Sequence, residues 1–330
     1  MKKARIATYA LLLLLSLVVA LSGSVTSFPA VAQAYHVGVT WGSRYGQDNS
    51  TELQEMSYLC MDIRGYFDSR YPTWAANNFY GPSTIAAYVY QCSDAVKSNP
   101  SYDYLATFHV GHMFPNMVEY GHWEVIYYGG YPVYVWVVDG YVRHYAYYGD
   151  TGEYTGIKDW QLYPHTGSKH YFTLIWTCTN GDLMDTNGDG VGDAYGFVDP
   201  QHGTGVIGMP YAWTQTTGLS KNGYDNPVSS NFCYIGFENI SKQLRQSFEG
   251  SAVNNYADFI RRFYYHAVIN QRSINSALDY ATQDMGVGMD DFDDEGNDLY
   301  YGWDEYAQGQ WWKCRMRVYG DGNNVLGVIG

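Results

Sequence analysis

Apolar residues recur along this chain with two different spacings, and each switch of spacing marks a new element. "VGVTW" (37–41), with Val37, Val39 and Trp41, reads as a short buried strand. "STELQEMSYLCMDIRGYF" (50–67) places Leu53, Met56, Leu59, Cys60, Ile63 and Phe67 on one helical face, with Thr51 and Gln54 spaced as a capping box. "GPSTIAAYVYQCSDAVKSNP" (81–100) repeats the helical pattern through Ile85, Val89, Cys92 and Val96 and is stopped by Pro100. "YDYLATFHV" (102–110), "YFTLIWT" (171–177) and "NFCYIGF" (231–237) read as further strands. Helical stripes follow at Tyr256, Phe259, Phe263 and Ala267, and again at Ile274, Leu278, Ala281 and Met285.

Between Trp123 and Tyr148 the pattern changes. Gly129-Gly130 and Asp139-Gly140 stand as two-residue turns between runs rich in Val, Tyr and Ile, which predicts a three-stranded antiparallel meander. Strands that alternate with helices elsewhere imply an α/β fold, a mostly parallel sheet covered on both faces, with the meander as an insertion at about 120–170. In such sheets ligands bind beyond the carboxyl ends of the strands.

The first 34 residues carry Lys2, Lys3 and Arg5, an uncharged stretch from Ile6 to Leu21, and Ala32-Gln33-Ala34. This is the charged, apolar and small-residue order of a secretory signal peptide, so 1–34 is assigned to export and 35–330 to the mature domain. Retention as an uncleaved N-terminal anchor is the alternative. Removing three basic and no acidic residues moves the net charge from -14 to -17. Such a charge disfavours nucleic acid and anionic membranes and suits cations or a basic substrate. Tyr is abundant, at 35 of 330 residues, which fits half-buried β-structure or a sugar-binding surface.

Five cysteines, Cys60, Cys92, Cys178, Cys233 and Cys314, form an odd set for an oxidising compartment. Cys178 ends a strand and is followed by Thr179, Asn180 and Gly181, while His112 follows another strand after Gly111. If the two strands are neighbours, His112 can activate Cys178 for attack on a carbonyl, and turns at Gly111 and Gly181 can offer N–H groups to an oxyanion. The histidines could instead bind zinc, because His109, His112 and His122 lie near Glu124. Positions three apart in an extended segment face opposite ways, so His109 is expected in the core or as a support behind the site residues rather than in a metal site.

"YLATFHVGH" (104–112) and "FTLIWTCTNG" (172–181) together resemble the caspase-like cysteine peptidases, the clan of caspases, metacaspases, clostripain and gingipains. The resemblance in pattern spans about 35–320. It implies a caspase-like three-layer α/β/α sandwich and a catalytic dyad of Cys178 and His112, with the backbone N–H groups of Met113 and Cys178 as the oxyanion site. Met113 stands where the family usually has Gly. His112 and Cys178 are 66 positions apart, against about 50 in caspases, and the meander accounts for the excess.

"DTNGDGVGD" (185–193) spaces Asp185, Asn187, Asp189, the backbone of Val191 and Asp193 around Gly190 as a calcium loop does. Position twelve is Gly196 rather than Glu, so weak binding suited to extracellular calcium is expected. The loop begins seven residues after Cys178. A second acidic run at 290–298, with Asp291, Asp293, Glu295 and Asp298, is less regular. Asp182, beside the nucleophile, suits a pocket for Arg or Lys. Asn49 with Thr51 and Asn239 with Ser241 fit the glycosylation pattern. The expected function is therefore a secreted, calcium-supported cysteine endopeptidase. The alternative is an inactive binding module of the same fold that contacts glycan or a surface protein through its Tyr-rich meander.

Overall fold

The computed structural model describes residues 35–42, 50–70, 75–80, 86–100, 102–148, 157–178, 180–181, 208–215, 230–248, 253–286, 304–307 and 310–326. All of these belong to one unit, Tyr35–Gly330. The signal-like segment 1–34, Asn49, Asp182, the loop 185–193 and the acidic run 290–298 lie outside the described residues.

The chain enters through strand β1 (Tyr35–Gly42), helix α1 (Ser50–Arg70), strand β2 (Ala75–Tyr80), helix α2 (Ala86–Ser98) and strand β3 (Tyr102–Val110). A long hairpin of β4 (His112–Tyr128) and β5 (Tyr131–Tyr148) follows, then β6 (Ile157–Lys158) and the one-turn helix α3 (Asp159–Leu162). The sheet resumes with β7 (His170–Trp176), then α4 (Met209–Thr214) and β8 (Cys233–Asn239). Helix α5 (Tyr256–Tyr264) runs into a π-helical turn at Tyr265–Ile269, and α6 (Ile274–Asp284) precedes β9 (Asp304–Ala307) and β10 (Gln310–Gly320).

This is a mixed α/β fold with a mostly parallel central sheet and a small antiparallel one. The central sheet runs in the order β2-β1-β3-β7-β8-β10-β9. Its first five strands are parallel, whereas β10 pairs antiparallel with both β8 and β9. The chain leaves β1 towards β2 and returns past β1 to β3, so the strand order reverses between β1 and β3. A crevice opens at such a reversal, beyond the carboxyl ends of the strands.

Alternation along each strand sends side chains into two cores. Phe108 and Val110 of β3, Phe172, Leu174 and Trp176 of β7, and Ile235 and Phe237 of β8 pack with α1, α5 and α6. Leu105, Ile175 and Tyr234 point the other way, towards Val89 and Val96 of α2 and Met209 and Trp213 of α4. Every residue of β7 is buried, as expected for an inner parallel strand covered on both faces. Met56, Leu59, Cys60, Ile63 and Phe67 form the buried face of α1 that their spacing predicts. Across the gap, Arg261 of α5 pairs with Glu55 at 2.6 Å and Asp62 at 2.7 Å, tying the outer edges of α1 and α5. Helix α5 begins with a capping box, in which the Asp258 N–H donates to Asn255 Oδ1 at 2.9 Å and the Asn255 N–H donates to Asp258 Oδ2 at 3.0 Å.

Three expectations are corrected. Asp139-Gly140 is not a turn. It lies inside β5, where Tyr120 pairs with Gly140 and Gly121 with Val138, leaving Asp139 as the extra residue of a β-bulge. Of the two expected turns, Gly129-Gly130 reverses the chain, both with positive φ, and the third strand of the small sheet is the short β6, paired at Ala146 and Tyr147. The small sheet therefore begins at His112 rather than near 120. Thr51 lies inside α1, which starts at Ser50, so it does not stand at the N-cap, and Gln54 donates its amide to Tyr58 Oη at 2.9 Å.

Candidate active site at the carboxyl ends of β3, β7 and β8

Strand β3 pairs in parallel with β7, and the last matched residues are Val110 and Trp176. His112 and Cys178 each stand two positions beyond that pair. Neighbouring strands lie about 4.8 Å apart, so the backbone brings the two residues of the expected dyad to one edge of the sheet. The Gly111 N–H donates to the Trp176 carbonyl at 3.3 Å, which extends the ladder by one bond before β4 departs.

Cys178 is half-buried. Its Sγ accepts the Ser241 N–H at 3.4 Å and lies 3.7 Å from Ser241 Oγ. Ser241 belongs to the segment just after β8, so three consecutive strand ends converge here. That segment is anchored on both sides. Trp176 Nε1 donates to the Lys242 carbonyl at 2.7 Å, and the Lys242 ammonium stands 5.8 Å over the Tyr256 ring. The buried Glu52 carboxylate of α1 accepts the Leu244 N–H at 2.8 Å and the Arg245 N–H at 3.3 Å.

The turn after Cys178 is equally constrained. Asn180 is fully buried, and its Nδ2 donates to the carbonyls of Ile175, at 3.1 Å, and Thr177, and to Thr177 Oγ1 at 2.8 Å. Tyr234 Oη bonds Asn180 Oδ1 at 2.8 Å, and Tyr319 Oη donates to the Gly181 carbonyl. The Gly181 N–H donates to the Phe237 carbonyl at 2.8 Å. A Cβ on Gly181 would lie 2.9 Å from the backbone of Gly236 and Phe237, so the glycine serves close packing on β8. The expectation that Gly111 and Gly181 offer open N–H groups to an oxyanion is therefore corrected. Both N–H groups tie strand ends together. Met113 is the second residue of β4 and pairs across the hairpin with Tyr147.

The expected metal and pocket residues, Asp182, Asp185, Asn187, Asp189, Val191 and Asp193, lie outside the described residues. His109 is fully buried in the core, edge-on to the Trp213 ring at 5.4 Å, and burial holds its imidazole well below the usual range. His122 is exposed on the hairpin and pairs with Glu124 at 3.1 Å. The two histidines thus occupy unlike environments, and His109 is the core residue that its spacing implied. Cys60, Cys233 and Cys314 are buried in one core, and burial pushes the Cys233 thiol well up. A cavity of about 260 Å³ lies elsewhere, bounded by Tyr66, Asp258, Arg261 and Arg262. Its arginines are paired with Glu55, Asp62, Asp258 and Asp284.

Ser241 and Asn180 went unrecognised as site residues in the sequence. Ser241 carried only a glycosylation pattern, and Asn180 only a turn preference. Their roles depend on β8 lying beside β7. The chain matches no protein-family model and no curated protein.

Proposed function

We propose that this chain is a secreted cysteine endopeptidase of the caspase-like type, with Cys178 as nucleophile and His112 as general base and acid. The observation that carries the reading is the parallel pairing of β3 with β7, which ends both strands at one edge, with His112 and Cys178 each two residues past Val110 and Trp176. Cys178 Sγ attacks the scissile carbonyl while His112 takes the thiol proton, and the same proton passes to the leaving amine as the thioester forms. Water then attacks the thioester, His112 again accepting and returning a proton. An N–H donor on sulfur, here that of Ser241, favours the anionic nucleophile. The backbone N–H groups of Met113 and Cys178 face the developing oxyanion in this reading, and Asp182 favours Arg or Lys beside the scissile bond.

Calcium bound by Asp185, Asn187, Asp189, Val191 and Asp193 would supply positive charge that orders the segment following the nucleophile. Full activity in excess chelator would remove calcium from the proposal and leave the dyad standing.

The decisive experiment treats the protein, with and without calcium, with an acyloxymethyl ketone bearing Arg or Lys, beside Cys178→Ala and His112→Ala. Labelling abolished in both folded variants supports the dyad. A folded wild type whose Cys178 resists both the probe and simple alkylators sinks it. The second reading, an inert binding module, rests on the exposed aromatic hairpin and gains from that second outcome.

A further inference from the structure

Cys178 is met from the side of β8 as well as held by its own strand. Its sulfur accepts the Ser241 N–H at 3.4 Å, and Ser241 Oγ stands 3.7 Å away, within reach for a hydroxyl and a large sulfur atom. A backbone group and a side-chain group of one residue thus converge on the atom that the reading above makes the nucleophile. Strand β7 lies between β3 and β8, so His112 belongs to the strand end on one side of Cys178 and Ser241 to the strand end on the other.

Ser241 has little freedom to turn away. Ile240 before it packs against the core formed with α1, α5 and α6. Lys242 after it is buried, and its carbonyl accepts the Trp176 Nε1–H at 2.7 Å. Trp176 stands two residues before Cys178, so its indole ties the two strand ends together. The Leu244 N–H is held in turn by Glu52 at 2.8 Å. Ser241 is therefore in place before any charge forms on sulfur, and little reorganisation is needed when it does.

The hydroxyl can serve both protonation states. Facing a thiol, Oγ accepts the S–H, and facing a thiolate it rotates about its C–O bond and donates its own O–H. In the dyad reading the S–H bond breaks and its proton moves to the His112 imidazole, while Ser241 keeps its own proton throughout. Donors to sulfur favour the charged form, so both contacts shift the ionisation towards thiolate.

We infer that Ser241 is a positioning residue for the nucleophile, whose hydroxyl and backbone N–H together hold Cys178 as an aligned thiolate. The inference takes Cys178 as nucleophile from the reading above and adds the third strand end to the site. Were Ser241 only a packing residue, removing its hydroxyl would leave the ionisation of Cys178 where it is. A thiolate-holding role predicts a paired change instead. A less acidic thiol is a stronger nucleophile, with a Brønsted slope of about 0.4–0.5, so a tenfold loss of thiolate is offset by about threefold in intrinsic rate.

The test is the pH–rate profile of thiol–disulfide exchange with dithiodipyridine, followed on the Cys178 peptide by mass spectrometry. In this step the Cys178 sulfur attacks one sulfur of the probe, the probe's S–S bond breaks, and a pyridinethiolate leaves. Ser241→Ala is expected to move the midpoint alkaline by about one pH unit, to slow exchange about threefold on the acid side and to speed it about threefold on the alkaline plateau. Ser241→Thr, which keeps a hydroxyl, should restore the wild-type midpoint. Asn239→Gln removes the same glycosylation pattern and leaves Ser241 intact, and it should not move the midpoint. A Ser241→Ala profile that coincides with the wild type overturns the inference, as does an equal shift in Asn239→Gln. Should Ser241→Ala lose its fold by circular dichroism, His112→Ala labelled at cysteine Cβ and titrated by NMR decides instead. Cys178 titrating below the ordinary thiol value of about 8.5 then supports the inference, and titration at or above it overturns it. Labelling by the acyloxymethyl ketone is scored separately. A shifted exchange profile in a chain that never takes the ketone supports the Ser241 contact and sinks the peptidase, and ketone labelling with an unshifted profile does the reverse.

Discussion

The hydroxyl of Tyr234 in β8 bonds the side-chain oxygen of Asn180 at 2.8 Å and the Asn180 carbonyl at 2.9 Å, fastening the turn after Cys178 to the next strand. All of these atoms are buried, so losing the donor leaves an acceptor without water to replace it. Tyr234→Phe is expected to cost about 1–3 kcal/mol, measured as a lower urea midpoint at unchanged m-value. It should also alter the alkylation rate of Cys178. An unchanged midpoint would mean that the bond contributes nothing net.

Gly181→Ala should destabilise for a different reason. Its Cβ would fall 2.9 Å from the backbone of β8, where no side chain can move aside. Overpacking of this kind costs about 1–3 kcal/mol. Gly65, in the exposed middle of α1, has nothing within 4 Å of an added Cβ. Gly65→Ala is therefore expected to stabilise the protein by about 0.5–1 kcal/mol through helix propensity. Thermal melts of the two variants side by side should move in opposite directions.

Glu52 holds the segment that presents Ser241 to Cys178. Bonds to a charged acceptor are worth about 1.5–3 kcal/mol, so Glu52→Ala should lower stability by that order. Alkylation of Cys178 should change in the same variant, and hydrogen exchange at Leu244 and Arg245 should quicken. Protection retained at both amides would remove Glu52 from this role.

Acid should weaken the fold before the carboxylates titrate. Burial lowers His170 from 6.5 to about 4 and depresses His109 as well, so both rings remain neutral when the folded protein is at pH 6. The unfolded chain takes up protons near 6.5, and between that pH and about 4 it binds more protons than the folded state. Stability is therefore complete above about 6.5 and falls towards pH 4, with roughly 3 kcal/mol from His170 at the limit. Urea midpoints from pH 7.5 to 4.5 should show the decline, and His170→Gln should flatten it.

Periodicity alone determined the α/β class, the buried faces of α1, α5 and α6, and the strands that end before His112 and Cys178. These are local properties, because a helix face or an apolar strand is written within a dozen consecutive residues. "AANNFY" of β2 carries no apolar run to mark it as a strand, since an edge strand needs little burial to pair. Asp139-Gly140 looked like a turn because bulges and turns favour the same small residues, and only the register across the hairpin distinguishes them. The tertiary structure alone decided that β3 lies beside β7 and β7 beside β8, and hence that Ser241, 63 residues beyond Cys178, donates its N–H to the sulfur. Strand neighbours are chosen by the packing of two whole helical layers, a sum over distant contacts that no short stretch of sequence contains.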